Sequence, residues 1–402
     1  MEEIVFFAAL LVFVFGLFSG LAQKSPITAP MVFVTVGLIA GPLGLDLFET
    51  NLNSEVVQMT AKITLILILF SDASMISLRR LKHEFRISLR LLAIGLPLTM
   101  LLGVLLAIPL FSGMNLWLIA LMAFILAPTD AALGQAVITS KSVPVEIRDS
   151  IDVESGLNDG IALPPILACM AAVGAAAGTQ LDFTYWGLFA FKQITFGPVV
   201  GALVGWLGGK LIDRSVQQGW MEPAFQRLSS VALALLAYSL AEALGGNGFI
   251  AAFFGGLLLG TRDKAVRKRL QEFGEAEGKQ LSLFIFLIFG MVMVPSVCRH
   301  WDAPGLLYAL LSLSVIRMLP VAISLIGMKM NLPTICFIGW FGPRGIASVL
   351  YALILVSEIG GAGHERILSI IVLTVLLSVF LHGISAVPLA NLYGHYMAGK
   401  QL

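Results

Sequence analysis

Two short stretches of otherwise apolar sequence, FILAPTDAALGQA and IDVESGLNDGIALPPI, carry Thr129, Asp130, Glu154, Ser155, Asn158 and Asp159. These side chains offer carboxylate, hydroxyl and amide oxygens, with no His or Cys cluster beside them. Such a donor set suits hard monovalent cations rather than transition metals. Helical spacing puts Ser155, Asn158 and Asp159 on one face and turns Glu154 toward the neighbouring side. Asp130 faces that cluster if the two segments pack as an antiparallel pair; alternatively, it only caps a half-helix. Removing a carboxylate from water favours its protonated form, so a buried carboxylate holds either a proton or a cation. Asp159 is the expected place for that competition.

Two arginines also stand in apolar sequence, Arg317 in SLSVIRMLPVA and Arg344 in FIGWFGPRGIASVLYA. A guanidinium keeps its proton, so each needs an anion or carbonyl oxygens at depth. Glu154 is the expected partner of Arg317, and removing either member would leave an uncompensated buried charge. Arg344 is expected to brace the negative carbonyl ends of an interrupted helix. Asp72, in LILFSDASMISLRRL, is either a surface cap or a ligand on a cytoplasmic funnel, and His382 reads as a packing residue.

The elements that hold these groups are membrane helices. Of the 402 residues 58% are hydrophobic and only 12% charged, with 40 glycines. A soluble domain is about one quarter charged, and glycine is frequent where membrane helices approach closely. The net charge of +1 says nothing about nucleic acid, but without a basic tail or a Lys/Arg patch with interleaved aromatics no nucleic-acid partner is expected. The three cysteines have neither metal nor disulfide spacing and read as small buried hydrophobes. The Met1-Glu2-Glu3 start lacks the positive region of a secretory signal, so the first apolar run is expected to be a retained helix.

At about 20 apolar residues per crossing, roughly thirteen spans are expected: 4–22, 27–45, 57–78, 88–111, 115–138, 150–175, 184–211, 226–245, 247–261, 280–297, 304–327, 333–356 and 367–391. Alternate loops with the adjoining span ends, and the C-terminus, hold 19 of the 25 Lys and Arg, including Arg79-Arg80-Leu81-Lys82 and Arg267-Lys268-Arg269, while loops of the opposite side hold only Arg299 and Arg366 and the spans hold Lys62, Lys192, Arg317 and Arg344. That bias places the N-terminus outside and the C-terminus in the cytoplasm. The charged stretch 262–279 is expected as a solvated cytoplasmic loop. Spans 5 and 12 carry helix breakers at mid-depth, Pro128 and Gly342-Pro343-Arg344-Gly345. Unpaired backbone survives there only where protein or a water-filled cavity satisfies it. The breaks lie seven spans apart and so run in opposite directions, as in two inverted six-helix repeats with broken crossing helices. Paired breaks of this kind mark transport sites. The fold class is thus an all-α polytopic membrane protein.

The order of Thr129-Asp130, Glu154-Ser155 with Asn158-Asp159, Arg317 and Gly342-Pro343-Arg344-Gly345 resembles the NhaP-like, Na+/H+ exchanger-type branch of the monovalent cation/proton antiporters, over essentially the full chain. The resemblance implies a core part of about 88–175 and 304–391 moving against a dimer-forming scaffold of about 4–78 and 184–297. It implies Asp159 as principal cation and proton ligand, with Asp130, Ser155 and Thr129 assisting around Na+. Asn158 stands where electrogenic relatives have a first Asp, which implies electroneutral one-for-one exchange. Glu154–Arg317 would hold the core together. The chain departs from the pattern at Ser71-Asp72-Ala73-Ser74, where relatives often carry an acidic-Gly-Gly run, and at Pro343. The absence of a long tail points to a prokaryotic inner membrane.

Na+ or Li+ exchange for H+ is the leading expectation, with no cofactor beyond the transported ions. K+/H+ exchange and Na+-coupled transport of an organic anion, with Arg344 meeting the substrate, are the alternatives. A channel lacks a repeated filter motif. An enzyme lacks a Ser/His pair, a His-rich metal set or a Gly-x-Ser-x-Gly motif at membrane depth.

Overall fold

The computed structural model describes residues 2–22, 25–48, 52, 54–76, 86–130, 132–176, 183–360 and 363–399; the basic run Arg79-Arg80-Leu81-Lys82 lies outside them. Among the described residues the regular structure is helical. Eight helices are long and apolar enough to cross a membrane, and five shorter apolar ones span 10–17 residues.

In chain order the helices are α1 (Glu2–Ala22), α2 (Ala29–Ala40), α3 (Glu55–Met75), α4 (Arg86–Leu110), α5 (Leu116–Ile125), α6 (Gln135–Ile138), α7 (Val145–Ala176), α8 (Phe183–Gln217), α9 (Pro223–Ala243), α10 (Gly248–Leu257), α11 (Lys264–His300), α12 (Ala303–Leu313), α13 (Val315–Ser324), α14 (Leu332–Trp340), α15 (Ile346–Ile359) and α16 (Glu365–Ala398). Spans 5 and 12 of the sequence reading are interrupted, as α5/α6 and α14/α15.

Three departures from the sequence reading are local. The charged stretch after residue 262 is helical from Lys264 onward rather than a loop. Asp263 caps it by accepting from the N–H groups of Ala265 (2.8 Å) and Val266 (3.2 Å). Val266 and Leu270, one turn apart, are buried, and Lys268 pairs with Glu272 at 3.5 Å on the wet face. One apolar stripe beneath a charged face is what a surface helix requires. The second departure is at span 11, which is broken at Ser314 (φ −117°, ψ −92°). The Ser314 hydroxyl donates to the Leu310 carbonyl at 2.6 Å and so occupies one of the carbonyls at the end of α12. Third, α4 and α11 each widen into a π-turn, Leu91–Gly95 and Phe289–Met293, shortly before Pro97 and Pro295. Proline has no N–H, and its ring crowds the carbonyl four residues back; a wider turn accommodates both.

The chain divides into two compact units. The first comprises Met1–Ala61, Phe85–Asn158 and Ser282–Leu402. Within it α2 lies against the π-turn of α11 at backbone contact. A Cβ on Gly41 would come within 2.6 Å of the Met291 carbonyl, and one on Gly290 would meet the Val34 carbonyl. The second unit comprises Lys62–Glu84 and Asp159–Leu281. Here Gly197, Gly201 and Gly205 of α8, spaced one turn apart, rest on the backbone of Asn247, Ala251 and Gly255, in α10 and at its N-cap. Close approach through small residues drives helix packing where lipid removes the hydrophobic incentive.

Candidate functional site at a crossing of two unwound segments

Both interruptions lie in the first unit, and they meet. The N–H of Asp130 donates to the carbonyl of Pro343 at 2.9 Å. Each break exposes the ends of half-helices, whose last carbonyls and first N–H groups have no partner within their own helix. Each segment supplies what the other lacks. Ile346, the first residue of α15, donates its N–H to Asp130 Oδ2 at 2.6 Å, while Asp130 Oδ1 accepts from Ala132 N–H at 2.7 Å. In return Arg344 Nη1 donates to the carbonyls of Ala127 and, at 3.1 Å, of Pro128 beyond the end of α5. Ser348 Oγ donates to the Ile125 carbonyl at 2.7 Å. A carboxylate thus sits at a positive helix start and a guanidinium at a negative helix end, the favourable sign in both places. Glycine makes the approach possible: a Cβ on Gly345 would run into the Asp130 carboxylate, and one on Gly342 into the Arg317 guanidinium.

α7 brings its polar turns to the same place. Thr129 Oγ1 lies 3.1 Å from Ser155 Oγ. Asn158 Nδ2 donates to Thr129 Oγ1 at 2.6 Å and to the Thr129 carbonyl at 3.3 Å. Asn158 Oδ1 is buried with no hydrogen-bond partner among the described residues. One residue before Ser155, Glu154 forms a bidentate pair with Arg317, at 2.6 and 2.8 Å, both side chains 2% exposed. Arg344 is fully buried, and its Nε and Nη2 lack partners among the described residues. The cluster therefore collects carboxylate, hydroxyl, amide and main-chain oxygens in an interior that excludes water, a donor set for a hard cation and not for a soft metal.

The family described as sodium/hydrogen exchanger, transmembrane, matches this sequence over residues 9–392. The chain belongs to that family. It is similar to the K+/H+ antiporter NhaP of Alkalimonas amylolytica, 27% identical over 383 residues that make up 92% of this chain and 63% of the relative. The K+/H+ antiporter NhaP2 of Shewanella oneidensis is 26% identical over 393 residues, 96% of this chain and 66% of the relative. The chain thus spans about two thirds of the length of these curated relatives. An Na+/H+ antiporter of Schizosaccharomyces pombe is 23% identical over 360 residues, covering 85% of this chain and 76% of that protein. Among solved structures, the sodium proton antiporter MjNhaP1 from Methanocaldococcus jannaschii at pH 8 superposes with a TM-score of 0.77 at 24% identity, covering 97% of this chain and 99% of that one. The fold is accordingly that of the NhaP antiporters, and the resemblance read from the motifs holds for the family.

Within this exchanger fold, the other two carboxylates singled out in the sequence, Asp159 and Asp72, belong to the second unit. Asp159 follows Asn158 directly on α7, one helical turn beyond Ser155, and is buried, 7% exposed. Asp72 is half-buried near the C-terminal end of α3. Gly256 of α10 rests on the carbonyl of Phe70, two residues before it.

Two members of the crossing escaped the sequence reading. Ser348 lies one turn after Arg344, at a spacing that marks it only once the break is known. Ser378 of α16 accepts from the Arg344 N–H at 2.7 Å and lies 3.1 Å from His382 Nδ1. Nothing in the sequence singles it out, because the bond joins residues 34 positions apart.

Proposed function

We propose that this chain is a secondary antiporter exchanging Na+ or Li+ for H+, one for one, by competition of cation and proton for Asp159 in an alternating-access cycle. The observation that carries the reading is the gathering of Thr129, Asp130, Ser155 and Asn158 at the crossing, on the unwound segment and on the helix whose next turn bears Asp159. Asp130 already accepts one backbone N–H on each oxygen. Its part is to hold the crossing together and lend a remaining lone pair to the cation, with Ser155 and Thr129 completing the shell. Asp159 takes the alternating load, and Asn158 orients Thr129 without adding a charge, which keeps the exchange electroneutral. Glu154 and Arg317 neutralise each other and stay out of the cycle. The core of about 88–175 and 304–391 carries the ion, Asp72 lies on its cytoplasmic approach, and the protein works as a homodimer in a prokaryotic inner membrane with its N-terminus outside.

K+/H+ exchange is a second reading, favoured by the names of the two NhaP relatives. One assay separates them. Proteoliposomes with an imposed pH gradient receive Na+, Li+, K+ or choline, and fluorescence dequenching reports proton movement. Saturable collapse by Na+ or Li+ that Asp159→Ala abolishes supports the first reading; a response to K+ alone supports the second. If no inorganic cation moves protons through folded wild-type protein, antiport is wrong, and an organic solute becomes the substrate to test.

A further inference from the structure

The second unit contains an apolar contact beside the proposed exchange carboxylate that the oxygen donors do not explain. Asp159 is followed by Gly160, and a Cβ at Gly160 would fall inside the ring of Phe253. The aromatic face therefore lies directly on the α7 backbone at the residue after the carboxylate. Phe253 is buried and packs edge-to-face on Phe254, with ring centroids 5.4 Å apart.

Phe253 has little freedom to move. Its helix, α10, reads GFIAAFFGGL and carries no polar side chain. The helix start is fixed twice: Asn247 Oδ1 accepts from Ile250 N–H at 3.0 Å, and Glu242 Oε1 accepts from Gly248 N–H at 2.8 Å. One side of α10 presses on the glycines of α8, and Gly256 presses on the Phe70 carbonyl of α3. A short helix held at its cap and on two faces presents one large rigid side chain to α7, at the turn bearing Asp159.

We propose that Phe253 is a positioning residue for Asp159, an apolar wall that limits how much water reaches the carboxylate while it holds a cation. This inference rests on the assignment of Asp159 as the exchanged group. The attraction between an ionised carboxylate and a cation grows as the local dielectric falls, so at a pH where the proton has left, excluding water strengthens cation binding without adding a ligand. Gly160 is the residue that lets the wall close, because any side chain there would displace the ring.

The test is cation-dependent exchange in proteoliposomes, measured as apparent KM and maximum rate for wild type, Asp159→Ala, Phe253→Ala, Phe253→Leu, Gly160→Ala and the double variant Gly160→Ala/Phe253→Ala. Phe253→Ala is expected to raise the apparent KM for the cation by roughly fivefold or more with the maximum rate within about twofold. Phe253→Leu, which keeps apolar bulk, moves KM less in the same direction. Gly160→Ala lowers activity by itself, and Phe253→Ala in the same chain restores part of it, as expected for two groups in contact. The proposal is overturned if Phe253→Ala, monodisperse on size exclusion, leaves KM unchanged while Asp159→Ala is inactive. Where Phe253→Ala does not give monodisperse protein, the Leu variant decides: an unchanged KM overturns the proposal and a raised one supports it. Full exchange by Asp159→Ala would instead remove the assignment of the carboxylate itself, a different failure from that of the wall.

Discussion

The crossing in the first unit and the glycine-lined packing of α8 on α10 in the second answer the same demand in opposite ways. Backbone groups in hydrocarbon must find partners inside the protein. α8 and α10 meet it by keeping their ladders intact where they touch and approaching closely through Gly197, Gly201 and Gly205. The crossing gives up continuity, and satisfies the exposed start of α15 with Asp130 and the exposed end of α5 with Arg344 and Ser348, each borrowed across the break. The continuous helices α8 and α10 leave no main-chain group over for chemistry where they touch. Broken ones place main-chain oxygens, a carboxylate and hydroxyls together in a dry interior, which is the composition of an ion site. Variants at the crossing that displace a candidate ligand should therefore alter transport and stability together, and variants along the glycine face should act first on stability and reach transport only through the seat of Phe253.

The largest effect is expected at the buried pair. Glu154→Gln leaves the Arg317 charge uncompensated, and removing one partner of such a pair costs about 3–5 kcal/mol. Thermal unfolding in detergent should fall steeply or folded protein be lost; a Tm equal to wild type would mean that Arg317 finds another partner. Next, Gly345→Ala pushes the Asp130 carboxylate away from the start of α15. Overpacking of about 1–3 kcal/mol should come with loss of cation-dependent dequenching, and retained exchange would show that the cap is dispensable. Gly205→Val spreads α8 from α10 at a similar cost of about 1–3 kcal/mol. In the folded fraction exchange should persist with the maximum rate within about twofold and the apparent KM raised no further than in Phe253→Ala, since α10 seats Phe253 but supplies no ligand; loss of exchange would erase the contrast between the two regions. The smallest effect is that of Ser348→Ala, which removes one hydrogen bond worth about 1 kcal/mol and should lower Tm by a few degrees with the maximum rate nearly intact.

The sequence showed where the chain is interrupted by residue type. Pro128, Pro343 and the glycines beside Arg344 break helices for reasons internal to those residues, so the breaks were legible. Ser314 was not, because serine is compatible with a helix, and back-bonds like that from its hydroxyl to Leu310 also occur within unbroken helices, at Thr99 and Thr374. The stretch after residue 262 misled in the other direction: its charges mask a two-residue apolar stripe, Val266 and Leu270, that makes it a surface helix. In the site, residue types alone pointed to Glu154 with Arg317, since two opposite charges in apolar sequence need each other. The exchange of caps between the breaks was out of reach. It joins Asp130 to Ile346 across 216 positions, and nothing local to either residue names its partner.

That separation has a consequence for biogenesis. When α5 and the residues following it leave the ribosome, the guanidinium that will serve their carbonyls has not been made. At about 5–20 residues per second, the 216 positions to the second break take roughly 10–40 s to synthesise. Through that interval the first break must wait in the company of water, of the insertion machinery or of α7, and it reaches its final state only as the last quarter of the chain arrives. The crossing is therefore a late event in assembly, and a nascent chain stopped before Arg344 already holds every side-chain oxygen of the candidate cation site while its first break has nothing yet to cross.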